Sequence, residues 1–147
     1  VYESGEGPVL AQMEDVPTGL SICYDIRFPA LYRALAEAGA RLLTIPAAFT
    51  VPTGGAHWHI LARARAIETG CFVAAPAQVS SHEDGRETFG HSLVVDPWGK
   101  VLLDMENTSG VGFADIDLAA VDRARAQVPA LTNARAIGEV HGSAQTN

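Results

Sequence analysis

Two stretches of the chain, "RLLTIP" at 41–46 and "CFVAAPAQ" at 71–78, carry apolar residues in continuous rather than alternating runs. A strand with one wet face alternates apolar and polar positions, so a continuous run reads as a strand covered on both faces, as in a sheet held between other layers. Between them, "AHWHILARARAIET" at 56–69 is the strongest helix signal, with Trp58, Leu61, Ile67 and the alanines facing inward and Gly70 stopping it. Upstream, "TGLSICYD" reads as a strand ended by Asp25 that delivers Cys23 to its carboxyl end. Pro29 suits the first turn of the helix that follows, Leu31, Leu35 and Ala38 share its face, and Gly39 sits where a left-handed cap belongs. Strand, helix and strand in this order form a βαβ-like unit, which predicts an α/β layered fold.

Past residue 78 the pattern changes. A polar loop, "VSSHEDGRETFG", leads into "HSLVVDPWGKVLLDM", a predicted hairpin turning at Asp96, Pro97, Trp98 and Gly99. "GVGFADID" at 110–117 reads as one more strand, Asp117 as the cap of a helix over 118–127, and Pro129 as its close. Without internal repeats or linkers, residues 1–137 read as one domain and 138–147 as a disordered tail. The first residue is Val1 and strand signal is already running by Thr18, so the chain is expected to begin partway through a larger protein.

Composition limits the partners. Ten basic against seventeen acidic residues give a net charge of −7 with no cationic stripe, which argues against nucleic acid. No apolar run approaches the roughly 18 residues that cross a bilayer, so no membrane partner is expected. Two cysteines are too few for a disulfide framework, and a cytoplasmic location is expected.

Cys23 and Cys71 invite different readings. A free cysteine is most often a buried, inert thiol, and Cys71, opening an apolar strand, is read that way. Cys23 sits at a strand end, where α/β proteins place ligands, and the helix after it can activate a thiol. Arg27 lies at the same mouth, where it either holds a substrate carboxylate or pairs with Asp25. Arg63 and Arg65 are read as solvated or ion-paired, the latter kind with Glu68. His57 and His59 are two apart on a helix and point to different faces, and His82 and His91 lie in or near the polar loop, so no metal site is expected.

The run "GLSICYDIRFPALYRALAEAGARLLTIPAAFTVPTGGAHWHILARARAIETGCFVAAPAQ", followed by "GHSLVVDPWGKVL", resembles the nitrilase, or carbon-nitrogen hydrolase, superfamily. "CYDIRFP", "FTVPTGGAHW" and "RARAIET" are most similar to its deaminated-glutathione amidase and omega-amidase branch. The resemblance implies an α-β-β-α sandwich, of which this chain is the carboxyl-terminal part, and a homodimer or higher homo-oligomer. It implies cofactor-free hydrolysis of an amide of a small, anionic carboxylic acid, with Cys23 as nucleophile, the Tyr24 N–H at the oxyanion, and ammonia leaving a thioester for water. Glu3 resembles a supporting glutamate, and Arg27, Phe49 and Thr50 fall at substrate-binding positions of the same pattern. The family's lysine and general-base glutamate lie upstream of this region. The single lysine, Lys100, follows the hairpin turn and matches a surface position, while His59 stands where many relatives carry glutamate. The 147-residue chain is therefore expected to be nearly inactive by itself. Two further readings stay open, an N-carbamoyl amino acid hydrolase and a catalytically dead binding or scaffolding module with the same fold.

Overall fold

A computed structural model describes residues 5–83 and 85–139. Its sheet has six strands in the order β1 (Val9–Met13), β2 (Val16–Leu20), β3 (Leu42–Thr44), β4 (Phe72–Ala75), β7 (Leu93–Val95) and β8 (Val101–Asp104). β2, β3 and β4 run parallel, with Gly19 beside Leu43 and Leu43 beside Val73, while β1, β7 and β8 pair antiparallel at the two sides. A separate hairpin joins β5 (Val79–Ser81) to β6 (Glu87–Phe89).

The expected crossovers are there. α1 (Pro29–Glu37) links β2 to β3, and a helical stretch links β3 to β4: α2 (Val51–Thr53), a π turn at Gly54–Trp58, and α3 (His59–Thr69). α4 (Ala119–Gln127) and α5 (Ala130–Asn133) follow the sheet. Leu43, Val73, Val95 and Leu93 occupy one sheet face and are fully buried, packed with Tyr32, Leu35 and Ala36 of α1 and with Trp58, Ala62 and Ala66. Gly19 lies in this layer because a Cβ there would come within 2.9 Å of Leu43 and 3.0 Å of Leu35. On the opposite face Thr44, Ala74, Val94 and Leu103 are only half-buried.

Several sequence expectations change. The buried stripe of α1 is Tyr32, Leu35 and Ala36, at helical spacing, and Ala38 is exposed. In α3 the buried positions are Ala62, Arg65, Ala66 and Thr69, which continue from Trp58 at spacings of three and four and leave Ile67 outside. Residues 110–117 form no strand: they have no paired neighbour among the described residues, and Val111 and Phe113 are 79% and 88% exposed. β1 and the β5–β6 hairpin, in turn, were not anticipated. The hairpin at Asp96–Gly99 forms as expected, since the Asp96 carboxylate accepts the N–H groups of Trp98 and Lys100, each at 2.9 Å, and Gly99 takes φ +84°. The Asp117 carboxylate accepts the Ala119 N–H at 3.0 Å from one residue before the N-cap of α4, which is Leu118. Of the fourfold layering, the described residues supply one large sheet with helices on one face. The tail at 138–147 falls almost wholly outside the described residues.

Candidate active site

Three parallel strands end at one edge, and the segments that leave them stay tied together. The Ser21 N–H donates to the Thr44 carbonyl at 3.2 Å and that of Cys23 to Pro46 at 2.8 Å. The Ala47 N–H reaches Pro76 at 2.9 Å, and the Gln78 N–H reaches Ala47 at 2.9 Å. These continuations frame a recess of about 500 Å³ lined by Cys23, Ala47, Ala48, Ala77, Gln78 and Ser92, among others.

Cys23 is the first residue of a 3₁₀ turn, Cys23–Arg27, beyond β2, which stops at Leu20, short of Asp25 where the sequence places its end. Its φ is +47°, a left-handed conformation that costs a residue with a Cβ about 1–2 kcal/mol and is commonest where function demands it. The turn is braced from both sides. The Asp25 carboxylate accepts the Ile22 N–H at 2.8 Å, and the buried Arg65 donates from Nε to the Ile26 carbonyl at 2.8 Å. Cys23 spends its own N–H on Pro46, whereas the Tyr24 N–H sits where a 3₁₀ turn offers no acceptor. Tyr24 thus has a donor free of helical bonding beside the thiol.

Behind the turn, Ser21 donates to the Thr44 carbonyl and accepts from the Tyr32 hydroxyl, each at 2.8 Å. Burial pushes the Tyr32 hydroxyl up to about 12. Cys71 is fully buried; its thiol donates to Ala40, accepts from Arg125, and is pushed up by burial, which leaves it inert.

Arg27 does not pair with Asp25. Its guanidinium lies over the rings of Tyr24 and Phe49, 5.5 and 5.2 Å from their centroids, and contacts His57 Nδ1 at 3.4 Å. No carboxylate among the described residues lies within ion-pair distance of it. Phe49 is 8% exposed and packs on Trp58, so it supports Arg27 from below, while the exposed Thr50 bonds Thr53 and bridges Thr88. None of Arg27, Phe49 and Thr50 lines the recess, nor does Lys100. Glu3 lies outside the described residues. Gly54 of the π turn holds Phe89 against this wall, since a Cβ would meet Phe89 at 2.2 Å. Arg65 is buried and paired with Glu68 at 2.5 Å, as one of the two readings had it.

One grouping went unseen in the sequence. Asp104 accepts from His59 Nε2 at 2.8 Å, from His91 Nδ1 at 2.9 Å and from the Glu106 N–H at 2.8 Å. Burial alone would raise its pKa, but these donors outweigh it and hold the carboxyl below its ordinary value. His57 and His59 do diverge; the partners of His59 come from strands.

A thiol held in a left-handed turn at the carboxyl edge of parallel strands, beside an open recess, is an arrangement that can support nucleophilic chemistry in an α/β protein. The chain belongs to the carbon-nitrogen hydrolase family, whose sequence pattern matches residues 1–126. It is 50% identical over 113 residues to a deaminated glutathione amidase of Synechocystis sp., covering 77% of this chain and 42% of that one. Among solved structures, the Caenorhabditis elegans NitFhit protein superimposes with a TM-score of 0.86 at 44% identity, over 90% of this chain and 32% of that one. An amidase from Nesterenkonia sp. AN1, with the acetamide moiety of fluoroacetamide added covalently at its active site cysteine, gives 0.75 at 28% identity, over 91% and 47%. The chain spans about two fifths of the length of the curated relatives it matches.

Proposed function

We propose that Cys23 is the nucleophile of an amidase that cleaves the amide of a small anionic carboxylic acid. The observation that carries this is the Cys23 turn itself, a strained thiol facing a recess of about 500 Å³ beside the Tyr24 amide. The relatives named deaminated glutathione amidase, and the covalent adduct on the cysteine of the Nesterenkonia enzyme, support the same reading.

In this mechanism the Cys23 thiolate attacks the amide carbon, and the Tyr24 N–H donates to the oxygen as it becomes an anion. Collapse of the tetrahedral species breaks the C–N bond, and the nitrogen takes up a proton and leaves as ammonia. Water then attacks the thioester, which frees the acid and the thiol. Both halves need a general base, and among the described residues lining the recess there is neither a carboxylate nor a lysine. The reading therefore takes the general base from outside the described residues, keeps Glu3 as a supporting glutamate rather than as that base, and has the 147-residue chain nearly inactive when expressed by itself. Arg27, with no carboxylate partner among the described residues, anchors the substrate's acid in this reading. A homodimer belongs to this reading too, and sedimentation of the protein expressed from its gene tests it.

The decisive experiment follows ammonia release from a dicarboxylic monoamide by the protein expressed from its gene with its flanking sequence. Cys23→Ala abolishes release, and Arg27→Met raises KM for the anionic amide without raising it for a neutral one. Activity that survives Cys23→Ala sinks the mechanism; equal KM changes for both substrates sink the role of Arg27.

A further inference from the structure

His59, His91 and Asp104 come from three separate elements and converge on one point. His59 opens α3, His91 precedes β7 in a left-handed turn with φ +57°, and Asp104 ends β8. Asp104 pairs with Leu93, so its side chain leaves the sheet on the helix-covered face, where α3 lies. One imidazole nitrogen from each histidine and a carboxylate oxygen all lie within 4.8 Å of one another. The three side chains are 34%, 18% and 28% exposed. The two imidazoles meet at 72° with centroids 5.0 Å apart, and the Phe89 ring stacks on His91 at 4.3 Å. None of the three lines the Cys23 recess.

We propose that His59 Nε2, His91 Nδ1 and an Asp104 carboxylate oxygen form a site for a borderline divalent transition ion of the zinc class. Two imidazoles and one carboxylate suit zinc, cobalt or nickel, whereas magnesium and calcium prefer all-oxygen sets. Partial exposure leaves the fourth position to water. The Glu106 N–H, already bonded to Asp104 Oδ1, orients the carboxylate from outside the ligand set. Binding asks little rearrangement. Each imidazole moves its proton to the other ring nitrogen, and ligand atoms now at hydrogen-bond spacing open to the roughly 3.3 Å that tetrahedral bonds of about 2.0 Å require.

The ion pins the start of α3 to β7 and β8. It also reaches the recess indirectly, because Ser92, next to His91, accepts the Ala77 N–H at 2.8 Å and lines the Cys23 recess. The site is thus a brace for one wall of the recess, with no part in bond cleavage.

The test titrates Co²⁺ into the metal-free protein expressed from its gene with its flanking sequence. One equivalent per chain should bind with visible d–d bands, persist in excess Mg²⁺, yield to Zn²⁺, and raise the thermal midpoint. His59→Gln and Asp104→Asn should each weaken binding by at least the roughly tenfold that loss of an outer partner alone costs, and His57→Gln should change nothing. If a variant misfolds, the unsubstituted protein still decides, because Zn²⁺ must shift the ring ¹⁵N resonances of His59 and His91 and leave those of His57 and His82 in place. Absent bands, bands that survive both substitutions, shifts confined to His57 and His82, or a thiolate charge-transfer band marking Cys23 would each overturn the site.

Discussion

Tyr32 shows how a single buried hydroxyl makes the stability of the fold depend on pH. Burial, helped by the charge of Asp25 and opposed by the Ser21 hydrogen bond, lifts its pKa from 10.0 to about 12. A group raised in the folded state contributes stability that is fully present below the unfolded value and lost as pH rises through the folded one. Between pH 10 and about 12 the unfolded chain ionises while the folded chain resists, a loss of about 2–3 kcal/mol at 1.36 kcal/mol per pKa unit. Urea midpoints measured from pH 9 upward should fall across that window, and Tyr32→Phe should flatten the fall; an unchanged slope in the variant refutes the assignment. Cys23 carries a second residue-scale cost. Its φ of +47° burdens any side chain with a Cβ, and glycine escapes that burden. Cys23→Gly should therefore unfold at a higher denaturant concentration than Cys23→Ala. The reverse order would mean that the turn holds no strain.

At the scale of elements, Arg65 couples α3 to the Cys23 turn. Its Nε bonds the Ile26 carbonyl, its Nη1 bonds Glu68, and its guanidinium lies 5.5 Å from the Tyr32 ring centroid. Arg65→Met keeps the aliphatic stem but strands that buried carbonyl, at about 1–3 kcal/mol. Because the stranded carbonyl belongs to the turn of Cys23, kcat should fall together with the denaturation midpoint. A variant as stable and as active as the parent would show that the brace is idle. Which elements the sequence disclosed follows from similar physics. β3, β4 and the β7–β8 hairpin were legible because continuous apolar runs and an Asp-Pro-Trp-Gly turn leave local marks, although the runs that suggested cover on both faces belong to a sheet whose second face is only half-covered among the described residues. "VLAQM" hides β1 because an exposed edge imposes no alternation, and the Ser and Glu of β5 and β6 look like loop. "GVGFADID" misled because alternation needs a neighbour to pair with, and residues 110–117 have none among the described residues. Cys23 was legible from its strand end, and Arg65 beside Glu68 from helical spacing. The His59–Asp104–His91 cluster was not, since separations of 45 and 13 residues leave no period to read.

The whole molecule is lopsided, and that has a consequence in solution. One sheet face is sealed by α1 and α3, while the other is half-covered and ends in a hairpin whose outer strand has no further partner among the described residues. Val9 and Met13, on one face of β1, are 53% and 52% exposed, and Leu20, directly opposite Val9, is 39% exposed. An apolar edge strand with open backbone groups invites another strand, whereas lysine on such an edge discourages it. The 147 residues expressed by themselves should therefore associate as concentration rises, seen as increasing weight-average mass in sedimentation equilibrium. Val9→Lys with Met13→Lys places charge on already exposed positions, costs the core nothing, and should return the chain to a single monomer mass. The same pair leaves the groove between Ile67, Trp98 and Val128 untouched, so association through that groove would survive the substitutions. A parent chain that stays monomeric throughout, or a lysine variant that associates as strongly, removes the β1 edge as the cause.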